Sequence, residues 1–587
     1  MPTQLITNYF RLHNANQFKE SISETANSVY YVFAARHTQY TGGDSTIPEI
    51  TNTVENTLTL PHDEMLFGKR VGPSDVAVLI PRHDWTSNTK YAAYRSNEDL
   101  TDKQYHVVVN SGTSYDVFKC LDNNNNAASV SAPQLSQTSA DDEYYATADG
   151  YQWKYMYSIT PSNFSKFATQ EYIPVFANSM VTGNAVAGAI DVITVTYRGS
   201  NYNTYLANTF ISSDLRVGGN PLLYYIANNA STSNSFYVGS YIYLTGGTGA
   251  GQGRRIVDYT VIGGSKTITI SSAFVTAPDA TTSYEITPGV TIEGDGDEAE
   301  ARAIVNTASS NTIARVEIVN RGRNYTWATA TVTGNTGGVS NSAILRVDMG
   351  PKGGHGYNPE YELGGQAVGI SVTFANSETG TIPTTNDYRT IGIIKDPLFS
   401  NVALTVGSIN GSFAIGETVT QNTTNATGVV TEWDTINTLT LTDVNGVFNT
   451  GYTVTGATTN STANVTSYII NGQAKNFNTF DQRYRYTFLP IAGQFTPDET
   501  VYQTDITLAN AVFHSNTNAN IYVTHVRGVL NTGNTIIGQT SGASANLLFA
   551  YPPDLVSHSG EVIYVENESP ISRSNSQSET IKVILQF

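Results

Sequence analysis

The pattern of hydrophobic and polar positions changes near residue 186. Before that point, Asn14–Glu24 places Phe18 and Ile22 four residues apart, which predicts a short amphipathic helix capped by Asn14 or Asn16. Apolar and β-branched runs predict buried strands at Ser28–His37, Asp75–Ile80, Tyr105–Asn110, Tyr115–Leu121 and Tyr151–Thr160. The first 185 residues are therefore expected to be mixed, with a minor α component near the N-terminus.

After residue 186 the helical periodicity disappears. Short runs of Thr, Val and Ile alternate with Gly, Asn and Ser turns, a pattern typical of antiparallel sandwiches or small barrels. The segment Tyr197–Tyr202 (YRGSNY) recurs as Asn320–Tyr325 (NRGRNY), each time after an apolar run. Both copies predict a strand that enters a glycine turn, with a tyrosine that returns over the turn.

A duplication occupies residues 401–549. Gly411–Val419 recurs 82 positions later as Gly493–Val501, and Gly446–Gly451 recurs at the same offset as Gly528–Gly533, without a gap. Within each copy, the pattern G-x-F-x-x-G-x-x-V also recurs after 35 positions, from Gly411 to Gly446. One hairpin cannot bury its own apolar face, so four such hairpins predict two small β-sandwiches or barrels.

Composition and charge narrow the class of protein. The chain has 587 residues, 31 Lys plus Arg and 49 Asp plus Glu, for a net charge of −18. This excess weighs against a general nucleic-acid binder, which needs a basic face. Charged residues are 14% and aromatic residues 11%, which favours a folded β protein with an uncharged polar surface over a disordered chain.

The cysteine content and the hydropathy of the chain indicate the cellular compartment in which the protein is made. Cys120 is the single cysteine, so an intramolecular disulfide and a multi-thiolate zinc site are excluded. The apolar residues Phe118 and Leu121 flank it, so a buried apolar role is expected. The N-terminus lacks a basic stretch followed by an apolar core, and the longest apolar runs are too short to span a bilayer. We expect a soluble protein made in a cytoplasm, without membrane association.

Two segments suggest ligand chemistry and have simpler interpretations. Gly246–Arg255 is glycine-rich but lacks the Lys-Ser/Thr of a phosphate-binding loop and precedes a strand, so a hairpin is favoured over nucleotide binding. Glu293–Glu300 carries five carboxylates without the order of a calcium-binding loop, so a solvated acidic turn is favoured over an incidental calcium.

Nothing in the sequence indicates catalysis. The nine histidines are scattered, no paired metal-ligand motif or nucleophile elbow occurs, and Cys120 has no evident base. The repeats offer isolated carboxylates such as Glu417 and Glu499, whereas glycoside hydrolysis needs a pair. We therefore expect no enzymatic activity, no catalytic residue, no metal site and no cofactor.

Four segments together resemble one family. They are Ala77–Trp85 (AVLIPRHDW), Asp149–Tyr157 (DGYQWKYMY), Ile391–Leu398 (IGIIKDPL), and Ser559–Asn567 (SGEVIYVEN) continuing to Ile581–Phe587. In this order they are similar to the gene-product-eight baseplate wedge subunit of T-even-like contractile-tailed bacteriophages. The C-terminal segment is the most specific.

The resemblance implies a domain organisation. A discontinuous wedge core would comprise residues 1–185, a return segment 350–400 and a C-terminal segment 550–587. Residues 186–349 would be an inserted β domain and residues 401–549 an insertion of tandem β repeats. The expected fold is mainly β and multi-domain, with sandwich-like or barrel-like insertions.

The resemblance also implies a function. The protein would be a non-enzymatic virion protein of the tail baseplate, a homodimer that joins neighbouring wedge proteins and peripheral fibre or pin proteins. It implies no nucleic-acid or membrane partner. The resemblance assigns structural or interface roles to Pro81, Arg82, Asp84, Trp85, Tyr151, Trp153, Tyr155, Asp396, Pro397, Gly560, Glu561, Tyr564, Glu566 and Asn567.

The residues of these motifs have a physical interpretation of their own. Pro81 fixes a turn after a strand, Arg82 can pair with Asp84 across it, and Trp85 and Trp153 supply large apolar area with a polar tip. A role in holding the fold is favoured over an interface role.

An alternative function is a host-glycan-binding or depolymerising tail protein, for which Trp327 and Trp433 in the insertions would contact sugars. A third alternative, an extracellular adhesin, is weakened by the absence of an export signal.

Overall fold

The computed structural model describes residues 6–24, 28–135, 144–202, 208–209, 217–334, 341–375, 387–470, 478–573 and 577–587. The chain forms two compact units. The first comprises residues 1–12, 78–367 and 587, and the second comprises residues 13–77 and 368–586. The predicted fold class is confirmed, because the protein is mainly β with several sheets, two closed barrels and a minor N-terminal helical part. The predicted domain boundaries stay a prediction.

The helices are few and mostly short. The α-helices are α1 (Asn8–Ser23), α2 (Leu60–Asp63), α3 (Pro161–Phe167), α4 (Ser179–Gly183) and α5 (Pro359–Glu362). A π-helical turn spans Glu55–Thr59, and 3-10 turns span Pro73–Asp75 and Val217–Gly219.

Strands make up most of the regular structure. Up to residue 185 they are β1 (Tyr30–Ala35), β2 (Met65–Arg70), β3 (Val76–Pro81), β4 (His106–Asn110), β5 (Tyr115–Asp122), β6 (Tyr144–Ala146), β7 (Gln152–Ile159) and β8 (Tyr172–Pro174). Residues 186–349 contain β9 (Ile190–Tyr197), β10 (Asn208–Thr209), β11 (Leu223–Tyr225), β12 (Tyr241–Gly246), β13 (Gly253–Ile262), β14 (Ser265–Ile270), β15 (Ser283–Thr287), β16 (Gly289–Gly294), β17 (Glu300–Asn306), β18 (Thr312–Asn320), β19 (Ala328–Thr333) and β20 (Ile344–Met349).

The remaining strands belong to the second half of the chain. Up to residue 470 they are β21 (Ala367–Phe374), β22 (Asp387–Lys395), β23 (Val402–Asn410), β24 (Thr418–Gln421), β25 (Thr427–Trp433), β26 (Thr438–Asn445), β27 (Thr453–Gly456) and β28 (Thr462–Ile470). They are followed by β29 (Thr479–Asp481), β30 (Tyr484–Ala492), β31 (Thr500–Tyr502), β32 (Asn510–Asn516), β33 (Asn520–Arg527), β34 (Thr535–Gly538), β35 (Ser544–Tyr551), β36 (Glu561–Ser572) and β37 (Glu579–Gln586).

Helix α1 begins earlier than predicted. It starts at Asn8, and the Thr7 hydroxyl accepts a hydrogen bond from the Phe10 N–H at 3.2 Å, so the cap is Thr7 and not Asn14 or Asn16. The reason is that Leu12 is also buried, together with Ile22, which extends the apolar stripe by more than one turn. The strands predicted in the first 185 residues are confirmed as β1, β3, β4, β5 and β7.

One sheet of the second unit gathers distant parts of the chain. Its five strands lie in the order β29, β2, β1, β22 and β36. Strand β1 pairs antiparallel with β2 and β22, and β22 pairs antiparallel with β36. Strands from the first, return and C-terminal segments thus meet in one sheet. The side chains of Tyr31, Phe33 and Phe480 are fully buried in its core.

The duplicated segment folds as two closed barrels of six strands, which confirms the barrel alternative. The first closes in the order β23, β26, β25, β24, β27 and β28, and the second in the order β30, β33, β32, β31, β34 and β35. Their cores are built from alternating apolar residues such as Leu404 and Leu439 in the first barrel and Ile521 and Val523 in the second.

The barrels correct two details of the predicted repeat. The motif G-x-F-x-x-G is not a hairpin: it is a loop between two strands that do not pair, and Phe413 and Phe448 insert from it into the core. The match is also not gapless, because Thr420 pairs with Thr427 whereas Tyr502 pairs with Asn510. The second copy has one extra residue in the turn between β31 and β32. It has one fewer in the turn between β32 and β33, so the offset of 82 positions is restored.

Four glycines explain why the loops recur. Gly411, Gly446, Gly493 and Gly528 all have positive φ, between +70° and +94°. A Cβ on any of them would lie 2.1 to 3.1 Å from an atom of another loop of the same barrel. Glycine is therefore required twice over at each position, for its conformation and for the close approach.

The first unit contains four further sheets. Strands β4, β5, β7 and β6 form one, and six strands from β10 to β15 form another, which has its own hydrophobic core. The predicted glycine hairpin is confirmed, since β12 pairs with β13 across Gly247–Gln252. Strands β18, β17, β16 and β19 form the third sheet, and β20 pairs with β9 in the fourth.

Each copy of the R-G-x-N-Y loop is hydrogen-bonded to the start of the strand that leads into the other copy. The N–H of Ile190 donates to the carbonyl of Arg321, and the N–H of Ile313 donates to the carbonyl of Arg198, both at 2.9 Å. The N–H of Tyr202 donates to Asn311 O, and that of Tyr325 donates to Gly188 O. Both tyrosines are buried over their loops, as predicted. The start of β9 thereby supplies backbone partners for the second loop, and the start of β18 supplies them for the first.

Candidate interaction surface

The C-terminal strand β36 is an edge of its sheet. It pairs with β22 on one side, and within the described residues no further strand pairs with it on the other. The predicted interface residues Glu561 and Glu566 are exposed on this strand, and Tyr564 and Asn567 are half-buried. A β-bulge at Ile563 bends it, and the turn Glu55–Thr59 packs against part of it. A strand edge of this kind offers backbone donors and acceptors to another chain.

Side chains along this strand are held in place. The Tyr564 hydroxyl donates to the Glu566 carboxylate, and burial together with this hydrogen bond raises the pKa of Tyr564. The Asn567 amide donates to the Pro48 carbonyl at 2.9 Å and accepts from the Thr390 hydroxyl at 2.9 Å. Asn567 also lines a pocket of about 380 Å³, together with Arg36, Tyr40 and Glu64.

Three other predicted residues of the second unit form a structural corner. The N–H of Val29 donates to the Asp396 carboxylate, and the N–H of Asp396 donates to the Val29 carbonyl, both at 2.8 Å. Gly560 has φ +81°, and a Cβ there would lie 2.9 Å from the Lys395 carbonyl and from Pro397 Cα. Pro397 is buried. Asp396, Pro397 and Gly560 therefore fix the chain where β22 ends.

The first motif places a partly exposed polar group after β3. Arg82 donates to Asp84 at 2.9 and 3.2 Å, which is the pairing expected from the sequence, and also to the Thr169 carbonyl at 2.8 Å. The Trp85 indole N–H donates to the Ser129 hydroxyl at 3.1 Å. The Pro81 carbonyl lies 2.8 Å from His106 Nε2. These contacts tie the turn to its neighbours within the unit.

The aromatic residues of the second motif are core residues. Tyr151 and Trp153 are fully buried with their rings stacked at 5.4 Å, and Tyr155 is 8% exposed. The Tyr151 hydroxyl donates to the Ala127 carbonyl at 2.6 Å. In the isolated chain these three side chains therefore support the fold, the role that the sequence favoured.

An ionic cluster in the first unit was missed by the sequence analysis. Lys119 Nζ lies 2.5 Å from Glu362 Oε2, and neither side chain is more than 1% exposed. The same carboxylate accepts hydrogen bonds from the N–H groups of Gly356 and Asn358. Burial alone would raise the pKa of Glu362, but Lys119 and His355 lower it to about 2. Glu362 is therefore an ionised, fully partnered carboxylate.

Burial favours the neutral forms of two further groups of the cluster, Asp191 and Lys154. Burial raises the pKa of Asp191 to about 7 and lowers that of Lys154 to about 7. His355 contacts Asp191 through Nε2, and burial lowers the pKa of His355 to about 3. The signal in the sequence was an isolated lysine inside each of two apolar strands, at Lys119 and Lys154. The cluster is too deeply buried for a substrate to reach it, so it acts in the fold.

Glu417 and Glu499 occupy equivalent positions in the two barrels, and each carboxylate is held by backbone N–H groups. The Glu417 carboxylate accepts from Ala414 N at 2.7 Å and from Thr458 N and Thr459 N at 3.0 Å. Glu499 accepts from Thr496 N, Thr540 N and Ser541 N at 2.7 to 3.0 Å. Burial would raise the pKa of each, but these hydrogen bonds outweigh it and lower both. The two carboxylates thereby hold in place the loops that close the barrels.

The remaining candidates have structural explanations. In the acidic segment, Asp295 accepts from Thr326 N at 2.8 Å and Trp327 N at 3.1 Å, and hydrogen bonding, chiefly from the Thr326 side chain, lowers its pKa to about 2. Among the residues that the structure describes, no cluster of His, Cys, Asp and Glu could hold a metal ion. Trp327 is 54% exposed, whereas Trp433 packs against Phe413 on the first barrel core.

Comparison with models of known families and with curated proteins finds no match for this chain. In the described part of the chain, no helix combines the length and the apolar character that crossing a membrane requires.

Proposed function

We propose that the protein is a structural component of a contractile phage tail baseplate wedge. In this role it is a homodimeric scaffold in the virion that joins neighbouring wedge proteins and peripheral fibre or pin proteins. The proposal rests first on the resemblance of its four sequence segments to the gene-product-eight family.

The structural observation that supports it is the exposed edge of β36. This edge presents residues of the most specific motif, and a partner strand can extend the sheet there. Glu561 and Glu566 make the edge acidic, which suits a neighbouring wedge protein with lysine or arginine along its contacting strand. The pocket beside Asn567 provides a place for one side chain of such a strand.

Hydrogen exchange tests the contact directly. We expect backbone amides of β36 to exchange more slowly in purified tails than in the free protein, because a partner strand would occupy their outer side. Amides of β22, which is paired on both sides, serve as the internal control. Equal exchange of β36 in both samples would contradict the edge contact.

Charge reversal tests the polarity of the surface. We expect Glu566→Lys to reduce incorporation into tails, whereas Glu171→Lys, the same change at an exposed glutamate of the first unit, should not. Native mass spectrometry should also give twice the 63.3 kDa chain mass at micromolar concentration. Absence of the protein from purified particles, or a stable monomer, would reject the proposal.

A further inference from the structure

A cleft lies between the two barrels. Its volume is about 420 Å³, which is in the range of small-ligand sites. The first barrel contributes Thr431, Thr442 and Asp443, and the second contributes two arginines and two tyrosines, Arg483, Arg485, Tyr522 and Tyr551. Sites of this kind commonly form where two folded bodies meet.

The charges in the cleft compensate one another. Arg483 donates to both oxygens of Asp481, at 2.9 and 2.6 Å, and Arg485 donates to Asp443 at 2.8 Å. Two guanidinium groups and two carboxylates therefore leave no net charge. A guanidinium has five N–H donors, and the bond to Asp443 uses one of those of Arg485. These four groups offer fixed donors and acceptors without an excess of either charge.

A fifth ionisable group also lines this cleft. Asp554 accepts a hydrogen bond from the Asp481 N–H at 2.7 Å, and burial raises the pKa of Asp554 to about 7. Near neutral pH this carboxyl group can therefore carry a proton and donate as well as accept. A ligand with hydroxyl groups, each of which both donates and accepts, matches this combination.

The tyrosines give the cleft flat surfaces. The guanidinium carbon of Arg483 lies 4.2 Å from the centre of the Tyr522 ring, and that of Arg485 lies 4.2 Å from the centre of the Tyr551 ring. These stacks hold the rings in place. A sugar has flat patches of C–H groups bordered by hydroxyls, so it can pack on such a ring while its hydroxyls reach the polar groups.

The first barrel shows that this chemistry is not needed for the fold. In the second barrel Arg485 pairs across the sheet with Tyr522 on one side and Tyr551 on the other. The equivalent position of the first barrel is Ala403, which pairs with Thr440 and Ile469. Both barrels close with the same strand order, so the arginine and the two tyrosines are an addition to one copy.

We propose that the cleft between the barrels binds a neutral oligosaccharide. This binding activity goes beyond the proposed structural role and does not depend on it. Tyr551 would contact the apolar side of a sugar ring, and Arg485 and Asp443 would bind its hydroxyl groups.

Saturation-transfer NMR on the full chain tests the proposal with maltotriose, cellotriose, laminaritriose and tri-N-acetylchitotriose as probes. We expect transfer to at least one of them at millimolar concentration. Tyr551→Ala and Asp443→Asn should each weaken binding about tenfold. Tyr452→Ala is the matched control, because Tyr452 is an exposed tyrosine of the first barrel outside the cleft.

An unchanged thermal unfolding midpoint establishes that each variant is folded. Three results would overturn the proposal: no transfer to any of the four probes, binding that both cleft variants retain, or displacement of the sugar by an equal concentration of inorganic phosphate. Incorporation of the Tyr551→Ala variant into tails should be normal, so failure of sugar binding is distinguishable from failure of the structural role.

Discussion

The two regions that bury carboxylates give them different partners. In the first unit Glu362 lies against the Lys119 ammonium group, within a cluster of buried charges. In the barrels Glu417 and Glu499 accept hydrogen bonds from backbone N–H groups and one hydroxyl each. Both arrangements keep a carboxylate ionised away from water.

The difference determines what a substitution does. An ionic partner is a side chain, so its replacement leaves an opposite charge buried and uncompensated. Backbone donors remain whatever the sequence, so the arrangement in each barrel depends on the glutamate and on one hydroxyl, that of Thr459 or Ser541. A duplication could therefore reproduce Glu417 as Glu499 without copying a second charged residue. Lys119 and Glu362, which lie 243 positions apart in the sequence, require each other.

The largest expected effect is at the ionic cluster. Lys119→Met should lower the free energy of unfolding by about 3 to 5 kcal/mol, because Glu362 keeps its charge without the ammonium group. Native-state hydrogen exchange of β5 amides measures the loss. The double variant Lys119→Met/Glu362→Gln should recover part of it. A loss as large in the double variant would show that the charge on Glu362 is not the cause.

The cluster should also respond to alkaline pH. The pKa of Lys154 falls from 10.5 to about 7 in the folded protein, so between pH 7 and 9.5 the unfolded chain holds a proton that the folded chain has released. Stability of β7 should therefore rise with pH in this window, by at most about 1.4 kcal/mol per unit. Hydrogen exchange corrected for pH measures this slope, which Lys154→Met should abolish while barrel amides show none. A slope that survives the substitution would assign it to another group.

Substitution of the two barrel glutamates should lower stability by a smaller amount, equal in the two barrels. Glu417→Gln and Glu499→Gln should each destabilise their own barrel by about 2 kcal/mol, since an amide oxygen is a weaker acceptor and the new NH₂ faces N–H donors. Amides of β27 and β34 report the two barrels separately. Glu561→Gln, at an exposed position, is the control. Unequal losses of stability would mean that Glu417 and Glu499 do not have equivalent roles.

The smallest effect is expected at the first motif. Arg82→Ala should change the free energy of unfolding by about 1 kcal/mol or less, because the Asp84 side chain is 55% exposed and water screens the pair. Chemical denaturation monitored by tryptophan fluorescence measures it. A loss as large as that of Lys119→Met would show that the Thr169 contact of Arg82 matters more than the ion pair.

The sequence predicted two small sandwiches or barrels because the signal of the repeats is local. Alternating Thr and Val marks strands such as β24 and β27, and Gly411 and its three equivalents mark the recurring loops, so the duplication made the pattern visible. The role of Glu417 was not predictable, because its donors Thr458 and Thr459 are backbone groups about 40 positions away. Pairing of this kind depends on the fold rather than on residue type.

The candidate surface was predicted in part. The resemblance indicated Ser559–Asn567 as structural or interface residues, but the sequence does not show whether such a segment lies at the edge or the centre of a sheet. Tyr151 and Trp153 could as well have been exposed, since aromatic residues occur in interfaces and in cores. The roles of Lys119 in β5 and Lys154 in β7 were not predictable, because the carboxylates that interact with them, Asp191 and Glu362, are distant in sequence.

The crossed backbone pairing of the R-G-x-N-Y loops has a consequence for how this chain can vary. Because Ile190 bonds to the second loop and Ile313 to the first, the chain on both sides of strands β11 to β15 is anchored by backbone hydrogen bonds that do not involve those strands. These strands have a core of their own. We therefore expect strands β11 to β15 to tolerate domain grafting better than β16 and β17, which share a hydrophobic core with β9 and β18.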